Sequence, residues 1–178
     1  MLENKQIIRK NIQLFLEKFP KKERKSHLAT LKMIDYLSNN AFKTVSVFMS
    51  FKNEIDTSEL INYLFENGYT VCVPKIIDKE MVMCKIENTD NLIKNSYGIL
   101  EPQDSIVIKD IDLIITPLVA FDENLYRVGY GGGYYDKYFK NTNAKKIGFA
   151  FSIQQIQKVP AEKFDIKLDG IITEEKIF

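Results

Sequence analysis

Ile111-Asp-Leu-Ile-Ile-Thr-Pro-Leu-Val-Ala-Phe121 is followed five residues later by Arg127-Val-Gly-Tyr-Gly-Gly-Gly-Tyr-Tyr-Asp-Lys137. The first stretch is almost wholly apolar and is expected to be one buried strand; Tyr134 to Lys140 opens a helix with aromatic packing positions. Four of the chain's eight glycines fall within the five positions 129–133. Glycine accepts positive φ and carries no Cβ, so N–H groups there can converge on an anion, with a helix N-terminus behind them. Arg127 and Lys137 would flank a phosphate, and Asp136 could hold a divalent cation bridging its oxygens. A tight turn between strand and helix is the competing reading. Neither standard phosphate template fits: Gly133 leads into Tyr-Tyr rather than Lys-Ser/Thr, and Tyr134 stands where a dinucleotide fingerprint needs Gly or Ala.

Outward from this loop, strand-like and helix-like segments alternate. Leu2 to Phe19 carries a broad apolar stripe ended by Pro20, with Lys5 and Arg9 one turn apart on one face, solvated or able to meet adjacent phosphates. A second helix is expected from Lys22 to Asn39. His27, the chain's only histidine, reads as a surface or half-buried structural residue. Thr44 to Met49 reads as a strand delivering Ser50-Phe-Lys-Asn-Glu-Ile-Asp56, then a helix capped by Thr57. Tyr69 to Val73 and Met81 to Ile86 read as strands, Asn88 to Lys94 as a short helix, Tyr97 to Pro102 as an irregular connector. Lys145 to Phe151 and Gly170 to Thr173 read as further strands, with a helical turn over Ile153 to Lys158. This alternation predicts a three-layer α/β/α, Rossmann-like fold with a mostly parallel central sheet, in one domain over residues 1–178. Such folds gather sites at the carboxyl ends of strands, which would bring Glu54, Lys75 and the Gly129–Gly133 loop to one edge.

Composition narrows the classes. The 178 residues are 45% hydrophobic and 28% charged with a net charge of +1, so no global field recommends nucleic acid or a membrane surface. Cys72 and Cys84 lack the spacing of a zinc site or disulfide framework and read as buried thiols. No stretch approaches a signal peptide or the ~20 apolar residues of a membrane span, so a reducing cytoplasm is the expected address.

Together, Thr116-Pro-Leu-Val-Ala-Phe-Asp122, Arg127 to Asp136, Lys5-x-x-x-Arg9, Phe48-Met-Ser50, Asn53-Glu-Ile-Asp-Thr57, Val73-Pro-Lys75 and Tyr97 to Pro102 resemble the 5-formyltetrahydrofolate cyclo-ligase family over nearly the full length. The resemblance implies ATP- and Mg²⁺-dependent conversion of 5-formyltetrahydrofolate to 5,10-methenyltetrahydrofolate, by a monomer or weak dimer. It implies ATP contacts at Lys5, Arg9, Arg127, Val128, Gly129, Tyr130, Gly131, Gly132, Gly133, Tyr134 and Tyr135. Folate contacts would fall at Met49, Glu54, Tyr130, Gly131, Gly132, Gly133 and Tyr134, Mg²⁺ ligands at Asp136 and Asp169, and catalytic roles at Arg127, Glu54 and Tyr134. Lys137 stands where the family commonly has arginine, and Val128 replaces a more usual leucine. The rival readings are a sugar-phosphate or CoA-type enzyme on a similar sheet, and a folate- or nucleotide-binding module without turnover.

Overall fold

The computed structural model describes residues 4–178. Helix α1 (Lys5–Lys18) starts at Asn4, whose side chain accepts a hydrogen bond from Gln6 N at 2.9 Å, and stops before Pro20. Then follow α2 (Lys22–Ser38), β1 (Thr44–Val47), α3 (Ser58–Glu66), β2 (Thr70–Ile77), β3 (Glu80–Ile86), β4 (Leu92–Lys94) and β5 (Leu100–Pro102). The second half contributes β6 (Leu113–Thr116), β7 (Ala120–Phe121), β8 (Arg127–Val128), α4 (Tyr134–Phe139), β9 (Lys145–Phe149), a 3-10 turn (Ser152–Gln154) and β10 (Gly170–Ile172).

Six strands form the central sheet in the order β10-β9-β6-β1-β2-β3. All neighbours are parallel except β2 and β3, so the expected mostly parallel sheet with helices on both faces is present. Alternation along each strand sorts the core. Val45, Val47, Leu113 and Ile115 join one buried cluster with Ile8, Met33 and Leu60 from α1, α2 and α3. Ile114, Cys72 and Ile171 join a second cluster on the opposite face, with Phe139 from α4. Gly148 is required on that second face, because a Cβ there would lie 2.8 Å from Leu118 and 2.9 Å from Leu168. Gly148→Val is therefore expected to cost about 1–3 kcal/mol of stability by overpacking, read by chemical denaturation.

Four local expectations are corrected. The run Ile111–Phe121 is not one strand: β6 ends at Thr116, Pro117 interrupts the ladder, and β7 resumes as an antiparallel partner of β8 in a separate two-stranded sheet. Asn88–Lys94 is not helical, nor is the next segment irregular. β4 and β5 form a hairpin whose turn is tied by Asn95 Oδ1, accepting from Tyr97 N at 2.9 Å and Ile99 N at 3.1 Å. Lys75 does not follow a strand but lies inside β2, which continues past the end of its pairing with β1; its Nζ donates to Pro102 O (2.7 Å) and Gln103 O (3.0 Å). Pro74 sits in that overhang, where β1 no longer asks for an N–H. Among the described residues no helix is long and apolar enough to cross a membrane.

Candidate active site

The parallel strands β1 and β6 end at the same sheet edge, and what each delivers there makes the two halves of a site. After β1 comes the loop holding Glu54. Thr57 fixes this loop from below, its hydroxyl donating to Phe48 O at 2.9 Å and accepting from Ser50 N at 3.2 Å, while Asp56 takes over the cap of α3 by accepting from Ser58 N at 2.9 Å. After β6 come the β7–β8 ribbon and the glycines. Gly131 and Gly133 have φ of +110° and +65°, conformations that side chains resist, so the turn itself demands glycine at both.

Helix α1 packs against the β7–β8 ribbon and brings its basic residues to the loop. Arg9 Nε donates to Gly129 O at 2.7 Å, and its guanidinium lies 3.6 Å from where a Cβ on Gly131 would stand. Lys5, one turn earlier, donates from Nζ to Asp165 Oδ2 at 2.6 Å with Glu162 at 3.8 Å. Arg9, more than a hundred residues away in sequence, thus meets the glycines, while Lys5 is held by Asp165.

Arg127 is buried rather than poised in the open. Its Nη1 donates to Ile166 O at 2.9 Å, its Nη2 lies 3.1 Å from Asp136 Oδ1, and its guanidinium sits 5.0 Å from the Phe139 ring centre. Asp136 Oδ1 also accepts from Ile166 N at 2.9 Å. The Asp165–Ile166 segment therefore binds Lys5, Arg127 and Asp136 together. Asp169 is not brought to this place. Its Oδ2 accepts from Lys146 N at 2.8 Å, and its own N–H donates to Lys146 O, at the amino-terminal ends of β9 and β10, the edge opposite the site. Asp165, four residues earlier, is the acid that pairs with Lys5, next to the Ile166 main chain that holds Arg127 and Asp136. Nothing local in Asp165-Ile-Lys-Leu-Asp169 separates the two acids in sequence; their partners Lys5 and Lys146 do.

Glu54 supplies the other half. Its Oε2 accepts from Phe51 N at 2.8 Å. Burial pushes its pKa up to about 7, against the pull of the Tyr130 hydroxyl and the Phe51 N–H. Tyr130 keeps much of its ring exposed while its hydroxyl faces this carboxylate; burial, then Glu54, raises its pKa. Tyr135 is raised by the same two causes, with Arg127 and Thr116 opposing. Met49 is half-buried against the main core, and Val128 is wholly buried, so Val128 contributes packing and main chain only. Tyr134 covers Gly132 so closely that a Cβ there would lie 2.7 Å from its ring. Gly132→Val is expected to displace Tyr134 and raise the KM for a phosphorylated ligand about 10–100-fold while the protein stays folded; an unchanged KM would reduce the glycines to turn geometry. His27 stands apart, exposed and paired with Glu59 at 2.8 Å.

Arg9 seated on a glycine turn, with a Glu54 carboxyl that burial pushes up to about 7 on the same sheet edge, marks the candidate active site of an α/β enzyme. The sequence model of the 5-formyltetrahydrofolate cyclo-ligase family matches residues 1–174, and the chain belongs to that family. It is thus a ligase of folate one-carbon metabolism. Relatives include the 5-formyltetrahydrofolate cyclo-ligase of Escherichia coli K12, 34% identical over 160 residues (84% of this chain, 88% of the relative). A probable 5-formyltetrahydrofolate cyclo-ligase of Schizosaccharomyces pombe is 36% identical over 156 residues, 76% of each chain. The solved 5,10-methenyltetrahydrofolate synthetase of Aquifex aeolicus superposes with a TM-score of 0.86 at 27% identity, covering 97% of this chain and 91% of that one.

Proposed function

We propose that the enzyme converts 5-formyltetrahydrofolate and ATP, with Mg²⁺, to 5,10-methenyltetrahydrofolate, ADP and phosphate. The observation that carries this reading is the contact of Arg9 with the Gly129–Gly133 turn, with Lys5 one turn earlier on α1 and Glu54 facing Tyr130 of the same loop: a phosphate cradle beside an organic-ligand site. An N-formyl oxygen is a poor leaving group, so it must be activated. The formyl oxygen attacks the γ-phosphorus and ADP departs, leaving an iminium phosphate. N10 then bonds to the formyl carbon, N10 loses its proton, and the C–O bond breaks to expel phosphate. The protein's task is to hold the oxygen in line with the γ-phosphate and to neutralise charge as it develops. Arg9, Lys5 and the loop N–H groups serve the phosphates. Glu54, ionised above about pH 7, takes hydrogen bonds from the folate and accepts the N10 proton.

The donor set fits Mg²⁺. Asp136 and Asp165 are carboxylates, the oxygen donors that Mg²⁺ takes together with waters and substrate phosphates. Asp136 and Asp165 each use a single carboxylate oxygen in their hydrogen bonds within the protein, leaving the other for the ion. Asp136 and Asp165 would hold the ion, which would supply positive charge against the phosphates. We assign the second acidic position to Asp165 instead of Asp169. Asp165→Asn should raise the Mg²⁺ needed for half-maximal rate about tenfold or more, whereas Asp169→Asn should leave it unchanged; the reverse order would restore Asp169.

The activity is tested by methenyl absorbance on mixing enzyme, ATP, Mg²⁺ and 5-formyltetrahydrofolate. Product formed with ADP supports it; folate binding without ADP release favours a binding module.

A further inference from the structure

Phe164 is the most exposed phenylalanine among the described residues, at 66%, yet its backbone is firmly held. It stands in a turn that is closed twice: Asp165 N donates to Glu162 O at 3.0 Å, and Glu162 N donates to Asp165 Oδ2 at 2.7 Å. That same oxygen takes Lys5 Nζ at 2.6 Å. The following residue, Ile166, holds Arg127 through its carbonyl and Asp136 through its N–H. Single exposed apolar residues are ordinary on a protein surface. This one is fixed in water by a turn whose neighbouring groups bind the phosphate side of the site. Lys140, at the end of α4, sets its Nζ over the Phe164 ring, 4.8 Å from the centre. The cation covers one face, and the exposure leaves the rest of the ring open to a planar partner.

The cations of α1 give a nucleotide a direction. Arg9 sits on the glycine turn, and Lys5 lies four residues earlier, about 6 Å along the helix axis. Phe164 adjoins the acid that holds Lys5. A triphosphate whose terminal phosphate lies at the glycines, and whose chain passes Arg9 and then Lys5, carries its nucleoside toward Phe164. The folate is placed on the Glu54 side, so the ring that reaches this turn is the base.

We propose that Phe164 is the platform on which the base of ATP stacks, with Lys140 backing the other face of its ring. This rests on the proposed ATP-dependent activity. Stacking on an aromatic side chain uses the π-face of the base and asks nothing of its edges. The base is remote from the γ-phosphorus, so the contact is equally strong before and during phosphoryl transfer. Its loss therefore raises the KM for ATP and spares kcat.

The chain contains no tryptophan, so Phe164→Trp places a single indole emitter at the platform. Its emission should fall saturably with ATP and Mg²⁺ and stay constant with inorganic tripolyphosphate, which has no base. Phe164→Ala should raise the KM for ATP about tenfold or more, with kcat within about twofold and the inhibition constant of tripolyphosphate unchanged. Phe164→Tyr should restore the KM. Emission indifferent to ATP, or an unchanged KM for ATP in Phe164→Ala, overturns the platform. A parallel loss of tripolyphosphate affinity overturns it as well, because the residue would then act through Asp165 and Lys5. The emission titration needs no turnover, so it decides the platform even where no methenyl product forms, an outcome that would refute the activity alone.

Discussion

Asp136→Asn enzyme is expected to lose about 10²–10³-fold in kcat/KM at saturating Mg²⁺, and to lose only about 1–3 kcal/mol of stability. The two effects come from different oxygens. Oδ1 holds Ile166 N and the Arg127 guanidinium, and an asparagine carbonyl can still accept both bonds, although the buried cation loses its ionic partner. On the proposed reading the oxygen replaced by an amide is the one that would meet Mg²⁺, and an amide would donate where the ion needs an acceptor. Asp136→Ala should be far more damaging to the fold, by about 3–5 kcal/mol, because it leaves Arg127 buried without a carboxylate. Steady-state kinetics across Mg²⁺ concentrations, with urea denaturation of both variants, separates these contributions. A near-normal rate for Asp136→Asn would remove this residue from the metal site.

Glu54→Gln is expected to cost about 10²–10⁴-fold in turnover yet to make the protein more stable above neutral pH. The carboxyl titrates at about 7 in the folded protein against 4.5 for the free group, with burial as the chief cause. Between these pH values the native state holds the proton more tightly than the unfolded chain. Stability is therefore highest below pH 4.5 as far as this group is concerned, and declines as pH rises through the folded pKa, by about 2–3 kcal/mol in all. Glutamine carries no charge to bury, so the variant should lack this decline. The wild-type pH–rate profile should in turn rise through an apparent pKa near 7 as the ionised form appears. Thermal melts at pH 5.5 and 8 and the pH dependence of kcat/KM check both halves. Equal pH dependence of stability in the two proteins would mean that Glu54 is solvated and ordinary.

The sequence made the architecture and the centre of the site legible for physical reasons that are local. Apolar runs of β-branched residues alternating with amphipathic helices describe a parallel sheet without knowledge of pairing, and clustered glycines announce a backbone that something must approach. Lys5 and Arg9 could be placed on one helix face by spacing alone. Less visible was whatever depends on partners distant in the chain. The antiparallel direction of β3 is decided by a short connection after Ile77 that turns the chain back. The division of Ile111–Phe121 depends on the β8 partner that β7 finds beyond Pro117. Arg127 reads in sequence as a free cation beside glycines, and only the return of Ile166 buries it. The choice between Asp165 and Asp169 is of the same kind: four residues apart, both ahead of β10, Asp165 pairs with Lys5 from α1 whereas Asp169 is tied to Lys146 at the start of β9.

The central claim is that phosphoryl transfer from ATP activates the formyl group. The most direct measurement uses 5-formyltetrahydrofolate labelled with ¹⁸O in the formyl oxygen and follows the label by mass spectrometry while methenyl absorbance reports turnover. One ¹⁸O atom should appear in each phosphate released, with one ADP per methenyl product and no product without ATP. Methenyl formation in the absence of ATP, or phosphate free of the label, would contradict the account.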